Sequence, residues 1–70
     1  MIRKSVKLVR EGDFVAEVEV DLIIEEGGWS PYLSNEDALK LDAVRKSLRS
    51  GDLEGAGRLA RVYRLTPVPA

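Results

Sequence analysis

Histidine and cysteine are both missing from this 70-residue chain. Their absence removes disulfides, Cys/His zinc sites and the usual base–nucleophile pairs of covalent catalysis. No G-x-S-x-G or S-x-x-K pattern offers a substitute nucleophile, and neither Gly27-Gly28 nor Gly55-x-Gly57 matches a phosphate-loop fingerprint. Neither enzymatic activity nor a metal or other cofactor is therefore expected. No apolar run approaches the roughly 20 residues of a membrane-spanning helix, and neither helical segment joins a strongly cationic face to a bulky apolar one. No membrane partner is expected. Met1-Ile2-Arg3-Lys4-Ser5 leads straight into charged alternation rather than a signal-peptide pattern. Together with the lack of Cys, this gives the expectation of a soluble, cytoplasmic protein.

What is present reads as a folded domain: 44% hydrophobic against 33% charged residues, at a net charge of −1. A chain this short buries a modest share of its surface, and it has no covalent or metal staple. A homodimer is expected on that ground. The domain is expected over residues 1–64, with residues 65–70 as an extended tail, because Pro67 and Pro69 stop any helix there.

Charge is blocked along the chain. Arg3, Lys4, Lys7 and Arg10 precede a stretch holding Glu11, Asp13, Glu17, Glu19, Asp21, Glu25 and Glu26. Residues 14–24, FVAEVEVDLII, alternate with period two, as does the weaker run IRKSVKLVR at residues 2–10. Between them Glu11-Gly12-Asp13 is turn chemistry. A three-residue loop, with Arg10 facing Phe14, pairs Leu8 with Ala16, Val6 with Val18 and Ile2 with Leu22 on one face. The other face then pairs Lys7 with Glu17, Ser5 with Glu19 and Arg3 with Asp21. A two-residue loop sets Leu8 against Glu17 and spoils both faces. The expectation is the three-residue loop, with Val9, Val15 and Ile23 left over on the outer face.

Ser34 reads as a helix N-cap, with Asp37 placed to complete a capping box. Ala38, Leu41, Val44 and Leu48 follow at helical spacing with Leu39 beside them, until Ser50-Gly51 stops the helix. Asp52 opens a second helix whose stripe is Leu53, Ala56, Ala60 and Tyr63, flanked by Leu59 and Val62; Gly55 and Gly57 weaken it. The fold expected is α+β: an antiparallel β-hairpin or three-stranded meander followed by two short helices packed on one face.

Trp29 and Tyr32 could stack bases, but residues 25–37 contain four acids and no base, so phosphate is repelled there. Arg45 with Arg49, and Arg58 with Arg61, give basic helix faces suited to duplex DNA or to surface ion pairs. Nucleic acid is thus a conceivable partner that the sequence does not favour. The run from Arg58 to Val68 mixes Arg, Tyr and aliphatic residues, the types enriched at interface anchors, although Leu59, Val62 and Tyr63 could equally complete the core. Trp29 reads either as a cap on the core near Leu22 and Ile24 or as an interface anchor.

Phe14–Val20, GGWSPYLS at Gly27–Ser34, EDALKLD at Glu36–Asp42 and LARVYRLTPV at Leu59–Val68 together resemble a group of short prokaryotic, antitoxin-like proteins. A looser likeness is to HicB-type antitoxins, in which a strand meander precedes an "EAL"-type helix. Glu36-Asp37-Ala38-Leu39 stands in that place here, after a third strand around Trp29 to Leu33. The HicB pattern departs from this chain in its longer body and frequent DNA-binding segment. The resemblance implies the antitoxin half of a toxin–antitoxin pair, binding a toxin-like protein. Candidate partner-binding residues are Trp29, Tyr32, Arg58, Arg61, Tyr63 and Arg64, with the arginines suited to carboxylates of the toxin. The alternative is a small dimeric DNA-binding transcriptional regulator.

Overall fold

Gly12-Asp13 decides how the hairpin is registered. In the computed structural model, which describes residues 1–28 and 30–69, β1 (Ile2–Glu11) and β2 (Phe14–Ile23) pair antiparallel. Glu11 faces Phe14, so the loop has two residues rather than the three expected from apolar matching. Gly12 has φ 59° and no non-glycine residue has positive φ, the pattern of a type II′ turn. Such a turn carries the twist of the flanking strands, and glycine reaches its first central position without steric penalty. Arg10 accordingly faces Val15, and Leu8 faces Glu17.

The slip exchanges the two faces of β1 relative to β2. Val9, expected on the outside, is buried opposite Ala16, while Ile2, Val6 and Leu8 are turned outward at 65%, 53% and 68% exposure. The expected ion pairs of Lys7 with Glu17 and Arg3 with Asp21 are not made; the outer face sets Lys4 opposite Asp21 instead. Turn geometry thus outweighs the apolar pattern here, and Val9 rather than Leu8 goes under the helices.

β3 (Tyr32–Leu33) and β4 (Arg61–Arg64) both pair antiparallel with the other edge of β2, at Leu22–Ile23 and Phe14–Glu17 respectively. Between them no strand covers that edge, and the first turns of α1 (Asn35–Ser50) fill the gap. The Asp21 N–H donates to Asp37 Oδ2 at 2.7 Å, and Lys40 Nζ donates to the Glu19 carbonyl at 3.0 Å. Side chains thus replace the missing ladder bonds at these exposed positions.

Ser34 caps α1 as expected, its Oγ accepting from the Asp37 N–H at 3.1 Å. The second half of the capping box is absent, because the Asp37 carboxylate is occupied by β2. Gly51 ends the helix in left-handed conformation, with its N–H on Leu48 and the Asp52 N–H on Ser47, a Schellman arrangement. Leu41, Val44 and Leu48 face the sheet; Ala38 and Leu39 are exposed, contrary to their place in the expected stripe. In α2 (Leu53–Leu59), Asp52 caps the Gly55 N–H at 2.9 Å. A Cβ on Gly55 would collide with that carboxylate, so this glycine has a packing reason, whereas Gly57 faces open space.

α2 stops four residues before the expected Tyr63. Arg61-Val62-Tyr63-Arg64 alternates with period two and finds an open sheet edge at Phe14–Glu17, so the chain leaves the two-glycine helix for β4. The Leu65 N–H extends this pairing to the Asp13 carbonyl at 2.6 Å, and residues 65–69 have no regular structure. The architecture is α+β: an antiparallel four-stranded sheet with two helices on one face. The expected role of Trp29 at the end of the core lies outside the described residues.

The core is thin. Val9, Ala16, Val18, Val20, Val44, Leu48 and Ala56 are buried, and the largest fully buried side chains are valines. The Cα radius of gyration, 14.1 Å, exceeds the roughly 11 Å of a compact chain this long. The accessible surface is 5547 Å², roughly a quarter more than a compact monomer of this mass exposes.

Candidate interaction surface

Because Ala16, Val18 and Val20 point at the helices, alternation sends Val15, Glu17, Glu19, Asp21 and Ile23 to the bare face of the sheet. Ladder partners complete it row by row. Ile2, Ile23 and Tyr32 lie across one end, and Arg10, Val15 and Tyr63 across the other. Between them Lys4 faces Asp21, Val6 faces Glu19, and Leu8, Glu17 and Arg61 share a row. Among the described residues no helix lies on this side.

Tyr32 and Tyr63 both reach this face, at 46% and 40% exposure, but at its opposite ends. Their partners on β2 are eight residues apart, which puts the rings roughly 26 Å from one another. The Tyr32 hydroxyl donates to Glu25 Oε1 at 2.5 Å. That bond holds the neutral phenol, and with slight desolvation and the carboxylate's charge it raises the pKa above 10.0.

The three arginines are not brought together. Arg61 lies on the bare face beside Tyr63 and Glu17, whose oxygens, the Tyr63 hydroxyl first, favour its charged form and raise its pKa. Arg64 sits over the Phe14 ring, 5.4 Å from its centroid. Arg58, on α2, meets Glu54 at 3.2 Å with both side chains largely exposed. Such a pair adds little stability. The expected basic helix face of Arg58 with Arg61 is therefore not formed, since Arg61 belongs to β4. Arg45 and Arg49 do share a face of α1, but both turn to Glu11, at 3.9 and 3.0 Å.

Sequence reasoning missed Ile2, Val6 and Leu8, the most exposed apolar residues of the face. The signal for them was the two-residue turn, from which the parity of β1 follows. An open cleft of about 770 Å³ adjoins the face where β2 lacks a strand neighbour, with Glu17, Glu19, Lys40, Arg58 and Arg61 around it. Its opposed charges suit ionic recognition. Among the described residues no three Asp or Glu side chains converge as a metal site would require. No helix is long and apolar enough to cross a membrane, among the described residues. Compared with protein-family models, curated proteins and solved structures, the chain gives no significant match.

Proposed function

We propose that this chain is a non-enzymatic protein-interaction module of antitoxin type, which neutralises a toxin protein by seating it on the bare face of the sheet. The observation that carries the interaction reading is the exposed set Ile2, Val6, Leu8, Tyr32 and Tyr63 on a face that no element among the described residues covers. Isolated exposed hydrophobics are ordinary, but five on one sheet face, interleaved with the charges of Lys4, Glu17, Glu19, Asp21 and Arg61, have the mixed character of an interaction surface. The surplus surface of the chain is of the order of the ~800 Å² that each partner buries in a standard interface. The antitoxin-like sequence resemblance supplies the kind of partner. When that partner is absent a second copy covers the same face, giving a homodimer. The duplex-DNA reading has less support, because Arg45, Arg49 and Arg58 already engage acids of their own chain.

The test pairs capture from native lysate with growth rescue, comparing the wild type with a Leu8→Glu/Tyr63→Glu variant. The wild type should retain one protein that arrests growth when expressed alone and is silenced by co-expression; the variant should lose both effects. Equal capture and rescue by the variant would remove the bare face from the interaction. A captured protein that is harmless alone would remove the antitoxin reading.

A further inference from the structure

We propose that the free edge of β1 docks an acidic, extended segment of the protein partner, which adds a strand beside β1. The inference rests on the protein-interaction reading and names where the partner is held and by what chemistry.

Backbone parity is the first observation. The Ile24 N–H bonds the Met1 carbonyl at 2.8 Å, so the odd-numbered residues of β1 are the ones that exchange ladder bonds with β2. Ile2, Lys4, Val6, Leu8 and Arg10 consequently aim their N–H and C=O groups away from β2. β1 is the terminal strand on that side of the sheet, and among the described residues no element pairs with this edge along its ten residues. The other edge of the hairpin, by contrast, is closed piece by piece by β3, Asp37, Lys40 and β4.

Charge is the second, independent observation. Arg3, Lys4, Lys7 and Arg10 all lie on β1, and among the described residues none of them takes part in an ion pair. The one acid of the strand, Glu11, is taken by Arg45 and Arg49. Arg3 and Lys7 face the apolar Leu22 and Val18, so β2 offers them no counter-charge. Lysine and arginine on an edge strand keep it from pairing with its own kind. Two copies of β1 side by side would gather eight cations, which argues against a second copy here. The same residues select an incoming strand with acids opposite Arg3 and Lys7 and apolar residues opposite Val6 and Leu8. Nucleic acid fits less well: Glu17, Glu19 and Asp21 stand on the adjacent strand, and backbone donors and acceptors in alternation match another strand.

The probe is a synthetic peptide alternating Glu and Val, as long as β1, titrated into the full chain beside its Lys–Val counterpart and a single-stranded oligonucleotide. Amide exchange is followed by NMR. The Glu peptide should bind saturably, about tenfold tighter than the Lys peptide, and weaken with salt. Amides of Lys4, Val6 and Leu8 should gain protection, while those of Arg3, Ser5 and Lys7, already bonded to β2, should not. Leu8→Pro deletes an outward N–H and spares the ladder to β2, so it should weaken the peptide about tenfold with the fold intact. Should that variant fail to fold, Lys4→Glu/Lys7→Glu must give the same loss. Equal binding of the Lys peptide, preferred binding of the oligonucleotide, protection centred on α1, or concentration-dependent protection of the even amides in the free chain would each overturn the proposal. Leu8 belongs to the bare face as well, but the alternation of amide protection and the loss in Lys4→Glu/Lys7→Glu leave the Leu8 and Tyr63 side chains untouched, so they separate failure at the edge from failure of the bare-face reading.

Discussion

β1 and β2 are strands of equal length in one hairpin, yet the fold treats them oppositely. β2 is enclosed: β1 runs along one edge, β3, two helix side chains and β4 close the other, and Ala16, Val18 and Val20 are buried beneath the helices. β1 keeps one edge open and contributes only Val9 to the buried core. The chain therefore has the means to seal a strand edge, using side chains where strands run short, and does not apply them to β1. On the proposed reading, the strand left open in that setting is where the partner's strand adds.

Substitution to Asp in each strand tests this contrast most severely. Val18 is fully buried, so Val18→Asp places an unpaired carboxylate among valines and should unfold the chain, a loss of about 4 kcal/mol or more. Leu8 is 68% exposed, and Leu8→Asp should stay within about 0.5 kcal/mol of the wild type in urea melts. Comparable losses in both would mean that β1 is as much part of the core as β2.

A smaller effect isolates the sealed edge. Asp37→Ala removes the acceptor of the Asp21 N–H while leaving the Ser34 cap, which uses the Asp37 backbone, in place. It also removes a carboxylate from the positive end of α1. The expected loss is about 1 kcal/mol, the site being partly open to water, with faster amide exchange at Asp21 than at Val20. Unchanged exchange at Asp21 would show that the helix does not substitute for a strand there.

How much of this was legible in the sequence follows from where the information is local. The period of residues 14–24, the Ser34 cap and the Gly51 stop are each written within a few neighbouring residues, and the elements form there. The register was not legible from apolar matching, because that argument weighed the two hairpin faces and not the stereochemistry of the turn. The Gly at the first loop position, with φ 59°, was the better guide. β4 was missed for a related reason: Val62 and Tyr63 suit a helical stripe or a strand, and only the open edge at Phe14–Glu17 chooses between them. Of the candidate site residues, Tyr32 and Tyr63 both reach the bare face, Tyr63 from β4 rather than from the helical stripe expected for it. The arginines were not one cluster, because the end of α2 divides them among a helix, the bare face and the core side of β4.

The contrast between the strands also has a fine test at the point where the bare face meets the loop after β2. Tyr32 pairs with Ile23 on that face, and its hydroxyl is tied to Glu25. The tie favours the neutral phenol, so the folded pKa lies above the unfolded 10.0. Its contribution to stability is then complete below pH 10.0 and disappears as pH rises through the higher folded value. The effect is small because the group is exposed. In a Tyr63→Phe background, where Tyr32 is the sole phenol, ultraviolet titration should show ionisation above pH 10.0, and Glu25→Ala should return it toward 10.0. An unmoved titration would mean that Glu25 does not hold the ring, and that Tyr32 turns freely at the end of the face. A held ring is the more useful one to a partner, since its orientation is fixed before binding and less side-chain freedom is lost when the face is covered.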